Sequence, residues 1–587
     1  MGNNFNLIIE ELYNIIIQPI DWVYKLTAIK KYKKLLMMSQ EMSFSDKYCL
    51  EARNHKEKGI VYTPLEISNY IVKNVIKPKD IVTNPFIKII DPACGSGNII
   101  VPCFVYLREV YLENMDKINE LHNLGLTSFN INRHIIDKNI FGYDLDPVGL
   151  KVLIIDLFIK SGYVNESNFY QGDFLIDEIK GNFNIILGNP PYVGHKMVDR
   201  SYSKILKEKY KGIFKDKGDI SYCFFKRSLD LLENEGLALR KLGFITSRYF
   251  MESPSGIELR KLLNQGALEK IVDFYGIRPF KGIGIDPVIV LMNLNKKCDA
   301  VEVFKPSKSK ARYKNDFINS VLLNQGKEYQ HFRIKQAELK ENGWILKNEE
   351  ELNIIKKIEE KCSKRLSDIC KSNQGIITGC DKAFVLDQEA CERENIEPVL
   401  LKPWIKSTSI EKCKVKNTGM YLIYSDLIND EKDFPNAVGY ISKYRDKLLQ
   451  RRECKTGARK WYMLQWGRKQ ELFEEQNIIF PYKSSSNRFA KASGIYFSAD
   501  VYSLTINEGA EMEGDKLLRL LNSSTYEFYF KSFAKKLGED QYEYYPNNVM
   551  KLGIPADSPE QFSCEQEIFN FFGLDDREIW IIKDAIK

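Results

Sequence analysis

The stretch Ile89-Ile90-Asp91-Pro92-Ala93-Cys94-Gly95-Ser96-Gly97-Asn98 decides the fold of this 587-residue chain. A short apolar run ends in an acidic residue and continues through small residues, the pattern of a buried strand that turns into a helix. Its glycines allow close approach of a ligand, and the helix start offers N–H donors. The stretch lacks GxGxxG spacing and a P-loop lysine. The acidic strand end suits a ligand with a cationic amino group, and a plain structural turn explains the stretch equally well.

Apolar runs of the same kind recur along the chain, and several of them close on Gly, Asp or Pro. Longer amphipathic stretches separate them, and this alternation predicts a doubly wound sheet of the α/β class. Beyond about Lys305 the rhythm fades, and short strands mixed with helices predict a second domain of mixed α+β type. The predicted strands are Ile87–Ile90, Ile140–Tyr143, Ile185–Leu187, Leu239–Ile245, Ile271–Phe274 and Val288–Leu291.

These patterns predict three parts: a helical segment at residues 1–57, an α/β domain at residues 58–345 and a mixed domain at residues 346–587. Apolar residues at helical spacing define the first part, and its basic run Lys30–Lys34 is typical of a solvated helix face. We expect Ser307–Tyr313 to form a surface linker and Asp557–Lys587 to form a capping helix.

Composition excludes several classes of protein. Lys and Arg number 86 against 79 Asp and Glu, a net charge of +7 that permits a polyanionic partner without demanding one. The 12 cysteines form no paired CxxC, and the 5 histidines do not stand at ligand spacing beside them, so we expect no metal. Signal-peptide features and a bilayer-length apolar run are missing as well. We therefore expect a soluble cytoplasmic protein.

Two further acidic positions follow predicted strands. Asp144, within Phe141–Asp146, stands at the tip of the second strand, where a nucleoside ribose is held by its paired hydroxyls. Asp173, in Gly172-Asp173-Phe174, offers a carboxylate to an adenine amino group, with Phe174 against the ring. Taken alone, Asp91 or Asp144 is explained by a helix N-cap.

The most specific motif is Asn189-Pro190-Pro191-Tyr192, directly after a predicted strand. Two prolines stop the ladder and fix the backbone, so the Asn189 side-chain oxygen and the Pro190 carbonyl form a rigid pair of acceptors. Such a pair accepts both hydrogens of an exocyclic amine and meets the charge that develops on its nitrogen, while Tyr192 supplies a flat face. A proline turn beside a buried tyrosine explains neither the asparagine nor the spacing.

The order of the motifs resembles that of the γ-type DNA adenine-N6 methyltransferases, which use S-adenosylmethionine. The matching segments are Gly59–Pro64, Asp91–Gly97, Gly142–Pro147, Gly172–Phe174 and Asn189–Tyr192. The resemblance implies a Rossmann-like methyltransferase domain and a carboxyl-terminal target-recognition domain. It further implies that the target base is gripped by Asn189, Pro190, Pro191 and Tyr192, with Phe280 stacking on its other face. Phe274 and Tyr275 lie close enough in sequence to compete with Phe280 for that role.

The resemblance also implies the residues that bind S-adenosylmethionine. Tyr62, Thr63 and Pro64 would close over its methionine end, Asp144 would hold the ribose and Asp173 with Phe174 the adenine. The full set of implied cofactor-binding residues is Tyr62, Thr63, Pro64, Asp91, Ala93, Cys94, Gly95, Ser96, Gly97, Asp144, Leu145, Asp173 and Phe174.

Gln374–Gly379 and Asp381–Phe384 resemble the start of the specificity domain in this family. Three later segments resemble the clostridial orphan adenine methyltransferases: Arg451–Arg468, Pro481–Ala490 and Tyr544–Leu552. Cations crowd Arg451–Arg468, where Glu453 is the sole acidic residue, and tryptophan and tyrosine lie among them. Basic side chains neutralise phosphates and reach base edges, whereas a solvated basic helix is the alternative. The candidate DNA-binding residues are Arg451, Arg452, Lys460, Arg468, Lys483 and Arg488.

Other activities fit the sequence less well. Cytosine-C5 chemistry needs a nucleophilic cysteine, but Cys103 would lie in a helix and Cys94 in the cofactor loop. Cytosine-N4 enzymes use the same amine chemistry, typically with Ser or Asp in place of Asn189. Methylases of protein glutamine or of RNA seldom carry so large a basic domain. Fewer than 60 residues precede Gly59, too few for a nuclease domain, and the intact motifs argue against an inactive DNA-binding subunit.

We therefore expect a DNA methyltransferase that acts on N6 of a flipped-out adenine in double-stranded DNA. By resemblance it would be an orphan enzyme at an A-rich, non-palindromic site, working as a monomer with no obligatory protein partner. The alternative is the methyltransferase component of a restriction-modification system.

Overall fold

The structure is a computed structural model that describes residues 3–54, 62–179, 181–232, 236, 238–280, 284–307, 314–323, 329–537, 540–555 and 561–587. The chain forms two compact units, Met1–Leu346 and Lys347–Lys587. Several sequence-based predictions fall outside the described residues: Gly59, Ile60 and Val61, the residues Lys281 and Gly282 after Phe280, and 308–313 of the expected linker.

The first unit alternates helices and strands. Its elements in chain order are α1 Asn3–Ile17, α2 Trp22–Leu35, α3 Phe44–Asn54, α4 Leu65–Val75, α5 Pro78–Thr83, β1 Ile89–Asp91, α6 Ile100–His122, α7 Ile131–His134, β2 Ile140–Asp144, α8 Pro147–Ser161, β3 Phe169–Gln171, β4 Ile185–Gly188, α9 Arg200–Lys209, α10 Ser221–Leu232, β5 Lys241–Ser247, α11 Ile257–Leu263, β6 Leu268–Asp273, β7 Pro287–Asn293, β8 Ala300–Pro306, α12 Lys314–Leu323 and β9 Tyr329–Lys335.

The strands of this unit form a nine-stranded sheet in the order β3-β2-β1-β4-β5-β7-β6-β8-β9. Strands β1 to β5 are mutually parallel, and β7 lies antiparallel between β5 and β6. The order reverses between β1 and β4, and ligands of doubly wound sheets bind outside the carboxyl ends of the strands at such a point. The predicted α/β fold class is confirmed.

Burial on both faces of the sheet explains the apolar runs of the sequence. Strands β1 and β4 are buried at every residue, because helices cover them on both sides. The helices α1, α2 and α3 share a second core with α8, whose Val152, Ile155 and Phe158 are buried against them. The amino-terminal helical segment therefore packs on the α/β domain as part of the first unit.

The second unit is mixed. Its elements are α13 Glu349–Glu360, β10 Cys362–Arg365, α14 Leu366–Ile369, β11 Cys370–Gln374, α15 Asp381–Phe384, β12 Val385–Asp387, α16 Gln388–Arg393, β13 Leu401–Ile405, β14 Ile410–Glu411, β15 Lys414–Val415, β16 Met420–Ile423, α17 Pro435–Ser442, α18 Arg445–Leu449, α19 Arg452–Lys455, α20 Glu471–Glu474, β17 Asn477–Pro481, β18 Lys483–Ser484, β19 Ala490–Ala492, β20 Tyr496–Phe497, β21 Val501–Ile506, α21 Gly514–Leu521, α22 Ser524–Phe533, β22 Tyr542–Glu543, α23 Pro546–Val549, β23 Gly553–Pro555, α24 Glu565–Phe571 and α25 Asp576–Ile586.

Two four-stranded sheets organise this second unit, in the orders β11-β21-β17-β19 and β12-β16-β13-β20. Its core buries aromatic side chains such as Trp404, Tyr462 and Tyr496. The mixed α+β character expected beyond Lys305 is confirmed for this unit. Across the described ranges of the whole chain, no helix combines the length and apolarity needed to cross a membrane.

Candidate active site

Two acidic residues mark the carboxyl ends of β1 and β2. Asp91 is 2% exposed, and its Oδ1 accepts a hydrogen bond from the Ala93 N–H at 3.0 Å. A Cβ atom at Gly188, on the neighbouring strand β4, would lie 2.6 Å from that same oxygen. Glycine at position 188 therefore makes the room that the Asp91 carboxyl needs.

Burial sets the electrostatics of these two carboxyls. Burial raises the pKa of Asp91 to about 8, with the lowering effect of the Ala93 N–H and the smaller raising effect of the Asp144 charge included. Burial also raises the pKa of Asp144, although hydrogen bonds from the N–H groups of Asp146 and Gly95 oppose the shift. Within the described residues, neither carboxyl has a cationic side chain as partner. The pair fits a ligand that brings its own positive charge together with hydroxyl groups.

The loop after β1 is held flat against β2 and α8. Gly95 and Gly97 have φ values of 49° and 92°, a conformation that favours glycine. The Gly95 N–H donates to Asp144 Oδ2 at 2.7 Å, and a Cβ atom at Gly149 in α8 would lie 3.2 Å from the Gly95 carbonyl carbon. Burial raises the pKa of the Cys94 thiol well above its usual value, which leaves it unreactive as a nucleophile.

Sequence reasoning missed residues of α3 that contact this loop. The Ser45 hydroxyl lies 2.7 Å from the Ser96 hydroxyl and donates to Asn98 Oδ1 at 2.8 Å. The Tyr48 hydroxyl donates to the carboxylate of Asp146, the N-cap residue of α8. These contacts join the amino-terminal segment directly to the predicted cofactor loop.

A capping motif at the start of α3 was the available signal. The Ser43 hydroxyl accepts from the Asp46 N–H at 3.0 Å, and Asp46 Oδ2 accepts from the Ser43 N–H at 3.1 Å. Ser-x-x-Asp before an apolar run indicates a helix start. The motif places the start of α3 in the sequence, but it does not reveal which distant loop the helix touches.

The motif Asn189–Tyr192 leaves β4 at the same edge of the sheet. The Tyr192 hydroxyl donates to Asn189 Oδ1 and lies 3.3 Å from the Ile245 carbonyl oxygen. Prolines at 190 and 191 fix the turn that brings Tyr192 back to Asn189. Burial raises the pKa of the Tyr192 hydroxyl well above its usual value, so it remains a donor.

Residues far apart in sequence meet at Asn189. Its Nδ2 donates to the Thr63 hydroxyl at 3.0 Å, across 126 residues of chain. Thr63 is 3% exposed, and the neighbouring Tyr62 hydroxyl donates to Asp46 Oδ1 at 3.1 Å. Pro64 is the N-cap residue of α4. The Tyr-Thr-Pro segment and the Asn-Pro-Pro-Tyr segment therefore form one continuous site.

Phe280 lies beside Tyr192. Their ring centroids are 6.2 Å apart at an interplanar angle of 48°, and both side chains are buried. Phe274 instead packs edge-on against Phe317. Tyr275 adopts a φ of 39° and has Lys305 Nζ 4.0 Å from its ring centroid. Of the three aromatic candidates, the structure brings Phe280 to the motif.

The third acidic segment has a different environment. Asp173 Oδ1 accepts from the Leu175 N–H at 2.8 Å, which closes a local turn. Phe174 is 2% exposed and stacks on Phe224 of α10 at 5.7 Å, so its ring belongs to the core. Leu145, which follows Asp144, is 67% exposed. The predicted contact of Phe174 with the adenine ring is not supported by this placement, whereas Leu145, another predicted cofactor-binding residue, has an accessible side chain.

In the second unit, the Arg451 side chain is buried and bonds to the protein's own backbone. This predicted DNA-binding residue is 9% exposed. Its guanidinium donates at 2.8 to 3.2 Å to the backbone carbonyls of Leu448, Thr378, Trp461 and Met463. These bonds fix the loop between α19 and α20 to the start of the domain.

The other five candidates of that unit are more accessible. Arg452, Lys460, Arg468 and Lys483 are exposed, and Arg488 is half-buried. Arg488 donates to Ser484 Oγ at 2.9 Å, while Arg468 lies 3.3 Å from the Gly375 carbonyl oxygen. Their role in DNA binding stays a prediction. Among the residues that the structure describes, no group of three or more His, Cys, Asp or Glu side chains could hold a metal ion.

Two family models match the chain. Residues 113–280 match the Eco57I restriction-modification methylase family, and this matched range contains Asn189 and Phe280. Residues 402–554 match the TaqI-like C-terminal specificity domain, within the second unit. The order of a methylase part and a specificity part agrees with the order of the two units.

The chain is also similar in sequence to curated methyltransferases. The chain is 24% identical to the type II methyltransferase M.BstVI of Geobacillus stearothermophilus, over 91% of this chain and 99% of that protein. It is 21% identical to the adenine-specific methyltransferase PglX of Streptomyces coelicolor, over 86% of this chain and 48% of that protein.

The restriction-modification enzyme MmeI, solved in complex with DNA, shares the fold with a TM-score of 0.53 at 15% identity, over 89% of this chain and 66% of that one. By the matches in sequence, the chain is a DNA methyltransferase similar to enzymes of the restriction-modification type, and a methylase part is followed along its sequence by a TaqI-like specificity domain.

Proposed function

We propose that this enzyme methylates N6 of adenine in double-stranded DNA. The observation that carries the proposal is the Asn189 side chain, held between Thr63 and Tyr192 at the sheet edge that also carries Asp91 and Asp144. An exocyclic amine offers two hydrogens to such acceptors, and the N6 group of adenine is an exocyclic amine. The name of the adenine-specific relative supports the choice of adenine.

The acidic strand ends would bind the methyl donor. S-adenosylmethionine, whose use the methylase family implies, supplies an activated methyl group when bound. The Asp91 carboxylate would pair with the amino group of its methionine part, and Asp144 would accept from a ribose hydroxyl. The exposed Leu145 would lie against the adenine ring, with the loop Ala93–Gly97 beneath the methionine part.

Asn189 and Pro190 would orient the target amine. Their oxygens accept both N6 hydrogens, which draws the nitrogen lone pair out of conjugation and toward the methyl donor. The Tyr192 hydroxyl already donates to Asn189 Oδ1, so it fixes the rotamer that this oxygen adopts before the base arrives. The bond from N6 to the methyl group would form as the sulfonium–methyl bond breaks, which leaves S-adenosylhomocysteine. The extra proton on N6 would then pass to water, and no covalent bond to the protein is needed.

The aromatic pair would hold the ring of the flipped base. A base must leave the helical stack before its amine can be reached, at a cost of a few kcal/mol. A ring inserted between Tyr192 and Phe280 needs about 7 Å between their centroids, twice the spacing of stacked bases. The present separation is 6.2 Å with the rings tilted by 48°, so the two side chains would have to move apart and turn parallel to admit it.

The substitution Asn189→Ala tests the mechanism. It removes the acceptor, and we expect methyl transfer to fall by about 100- to 1000-fold or more. Equilibrium binding of S-adenosylmethionine should stay unchanged, which separates loss of chemistry from loss of fold. Transfer at the normal rate in this variant would refute the role given to Asn189.

For the target sequence, we propose an A-rich, non-palindromic site methylated by a monomer without a partner nuclease. The resemblance of Arg451–Arg468 and Tyr544–Leu552 to the clostridial orphan enzymes supports it. The named relatives belong to restriction-modification systems, which supports the alternative of a modification enzyme with a nuclease partner.

Expression of the chain alone in a methylation-free host tests this choice. Sequencing that detects N6-methyladenine should find one recurring marked motif, and its symmetry answers whether the site is palindromic. If the genome stays unmarked although the protein binds S-adenosylmethionine, the result would favour an RNA or protein-glutamine substrate, or the need for a missing partner.

A further inference from the structure

A basic groove lies directly beyond the Asn189–Tyr192 motif. It is an open groove of about 440 Å³, formed between the turn His195–Met197 and helix α9. The His195 N–H donates to the Gly218 carbonyl at 2.9 Å, and the Ile220 N–H donates to the Val193 carbonyl at 3.1 Å. These two bonds fix the groove to the segment that carries Tyr192.

The segment that contains the groove carries a larger excess of positive charge than the chain as a whole. Residues 195–217 hold eight Lys and Arg against three Asp and Glu, whereas the complete chain is nearly balanced at 86 against 79. On α9, Arg200, Lys204 and Lys207 recur at the spacing of one helix face and all are exposed. The adjoining face buries Leu206, and the buried Ser203 lines the groove beside these cations.

Within the described ranges, three of the cations that line the groove have no carboxylate as partner. Lys207 pairs with Asp216 at 2.6 Å, and His195 Nε2 lies 3.1 Å from the same carboxylate. Lys196, Arg200 and Lys204, by contrast, pair with no carboxylate among the described residues. Like charges three or four residues apart on a helix repel one another, which a bound polyanion would relieve.

We propose that Lys196, Arg200, Lys204 and Lys207 bind the phosphates of the DNA strand that carries the target base, next to the flipped nucleotide. The charged face from Arg200 to Lys207 is about 10 Å long, the length over which one strand presents about three phosphates. Cations at that spacing neutralise a backbone and fix its position without reading its sequence. The groove would hold the strand in place while the base turns toward Asn189. This inference rests on DNA being the substrate.

The test combines Lys196→Gln, Arg200→Gln and Lys204→Gln in the full-length chain. The control combines Lys30→Gln, Lys31→Gln and Lys34→Gln, three exposed cations on α2 with the same total change of charge. Binding of a fluorescein-labelled duplex of mixed sequence is measured by anisotropy over a series of salt concentrations. Each lost phosphate contact lowers the slope of log affinity against log salt by about 0.9.

The groove variant should show a slope smaller by about 2.7, whereas the control should keep the wild-type slope. Its KM for DNA should rise, whereas its affinity for S-adenosylmethionine should equal that of the wild type. A wild-type slope in the groove variant, or an equal drop in the control, would overturn the inference.

Failure of the groove proposal is distinguishable from failure of the proposed function. A normal slope change in a protein that never methylates DNA would refute the proposed function and leave the groove as a nucleic-acid-binding surface. Normal methylation together with an unchanged slope would refute the groove alone.

Discussion

The cofactor half and the base half of the candidate site lie on one sheet edge but are built in different ways. In the cofactor half, backbone N–H groups hold the carboxyls: Ala93 bonds Asp91, and Gly95 bonds Asp144. In the base half, side chains hold one another, since Tyr192 bonds Asn189 and packs on Phe280. Backbone contacts are set when the sheet folds, whereas side-chain contacts exchange when a ligand enters. The cofactor half should therefore bind its ligand without DNA, and the base half should complete itself only on the target.

On cofactor affinity, the largest expected effect comes from Asp91→Asn. The change keeps the shape of the side chain and removes the charge that would meet an ammonium group. We expect the Kd for S-adenosylmethionine to rise about 100-fold, since hydrogen bonds to charged groups contribute up to about 3 kcal/mol. Isothermal titration calorimetry without DNA measures it. Unchanged affinity would break the comparison, because the cofactor half would then not depend on its carboxyl.

Phe280→Ala changes the base half, so it should impair the reaction with DNA and leave cofactor binding intact. Loss of one stacking face costs about 1 to 3 kcal/mol, so kcat/KM for DNA should fall by about 5- to 150-fold. The affinity for S-adenosylmethionine should not change. Phe129→Ala is the control, because that ring is 95% exposed and lies outside the site. A matching loss of cofactor affinity in the Phe280 variant would mean that the two halves are not separate.

The pH dependence of cofactor binding sharpens the comparison further. Burial raises the pKa of Asp91 to about 8, so at lower pH the carboxyl is mostly protonated before the ligand binds. An ammonium group binds the ionised form, while it is itself protonated below about pH 8. Affinity should therefore rise about tenfold per pH unit as the pH increases toward 8, with release of a proton on binding.

Calorimetry in two buffers of different ionisation enthalpy counts the released proton. Asp91→Asn should abolish both the proton release and the steep rise of affinity with pH. An affinity that does not depend on pH in the wild type would show that Asp91 is already ionised, or that it does not face the ligand.

The sequence predicted the two halves of the site better than it predicted the role of the basic segment Arg451–Arg468 in the second unit. The strands ending at Asp91, Asp144 and Gly188 follow from β-branched runs closed by turn residues, since that pattern is local. The role of Arg451 did not follow from its basic neighbours. Its guanidinium bonds carbonyls up to 73 residues away, and a charge pattern along the chain does not reveal such partners. The same limit hid Ser45, whose partner Ser96 is 51 residues away.

That hidden contact gives the smallest expected effect. Ser45→Ala removes the hydroxyl that bonds Ser96 and Asn98 at the predicted cofactor loop. The loop keeps its backbone bonds to β2, so we expect only about 1 kcal/mol of lost support, a three- to tenfold rise in the Kd for S-adenosylmethionine. The exposed Ser39→Ala is the matched control. An unchanged Kd in the Ser45 variant would mean that backbone bonds alone hold the loop, and an increase beyond 100-fold would mean that the amino-terminal helices form part of the cofactor half itself.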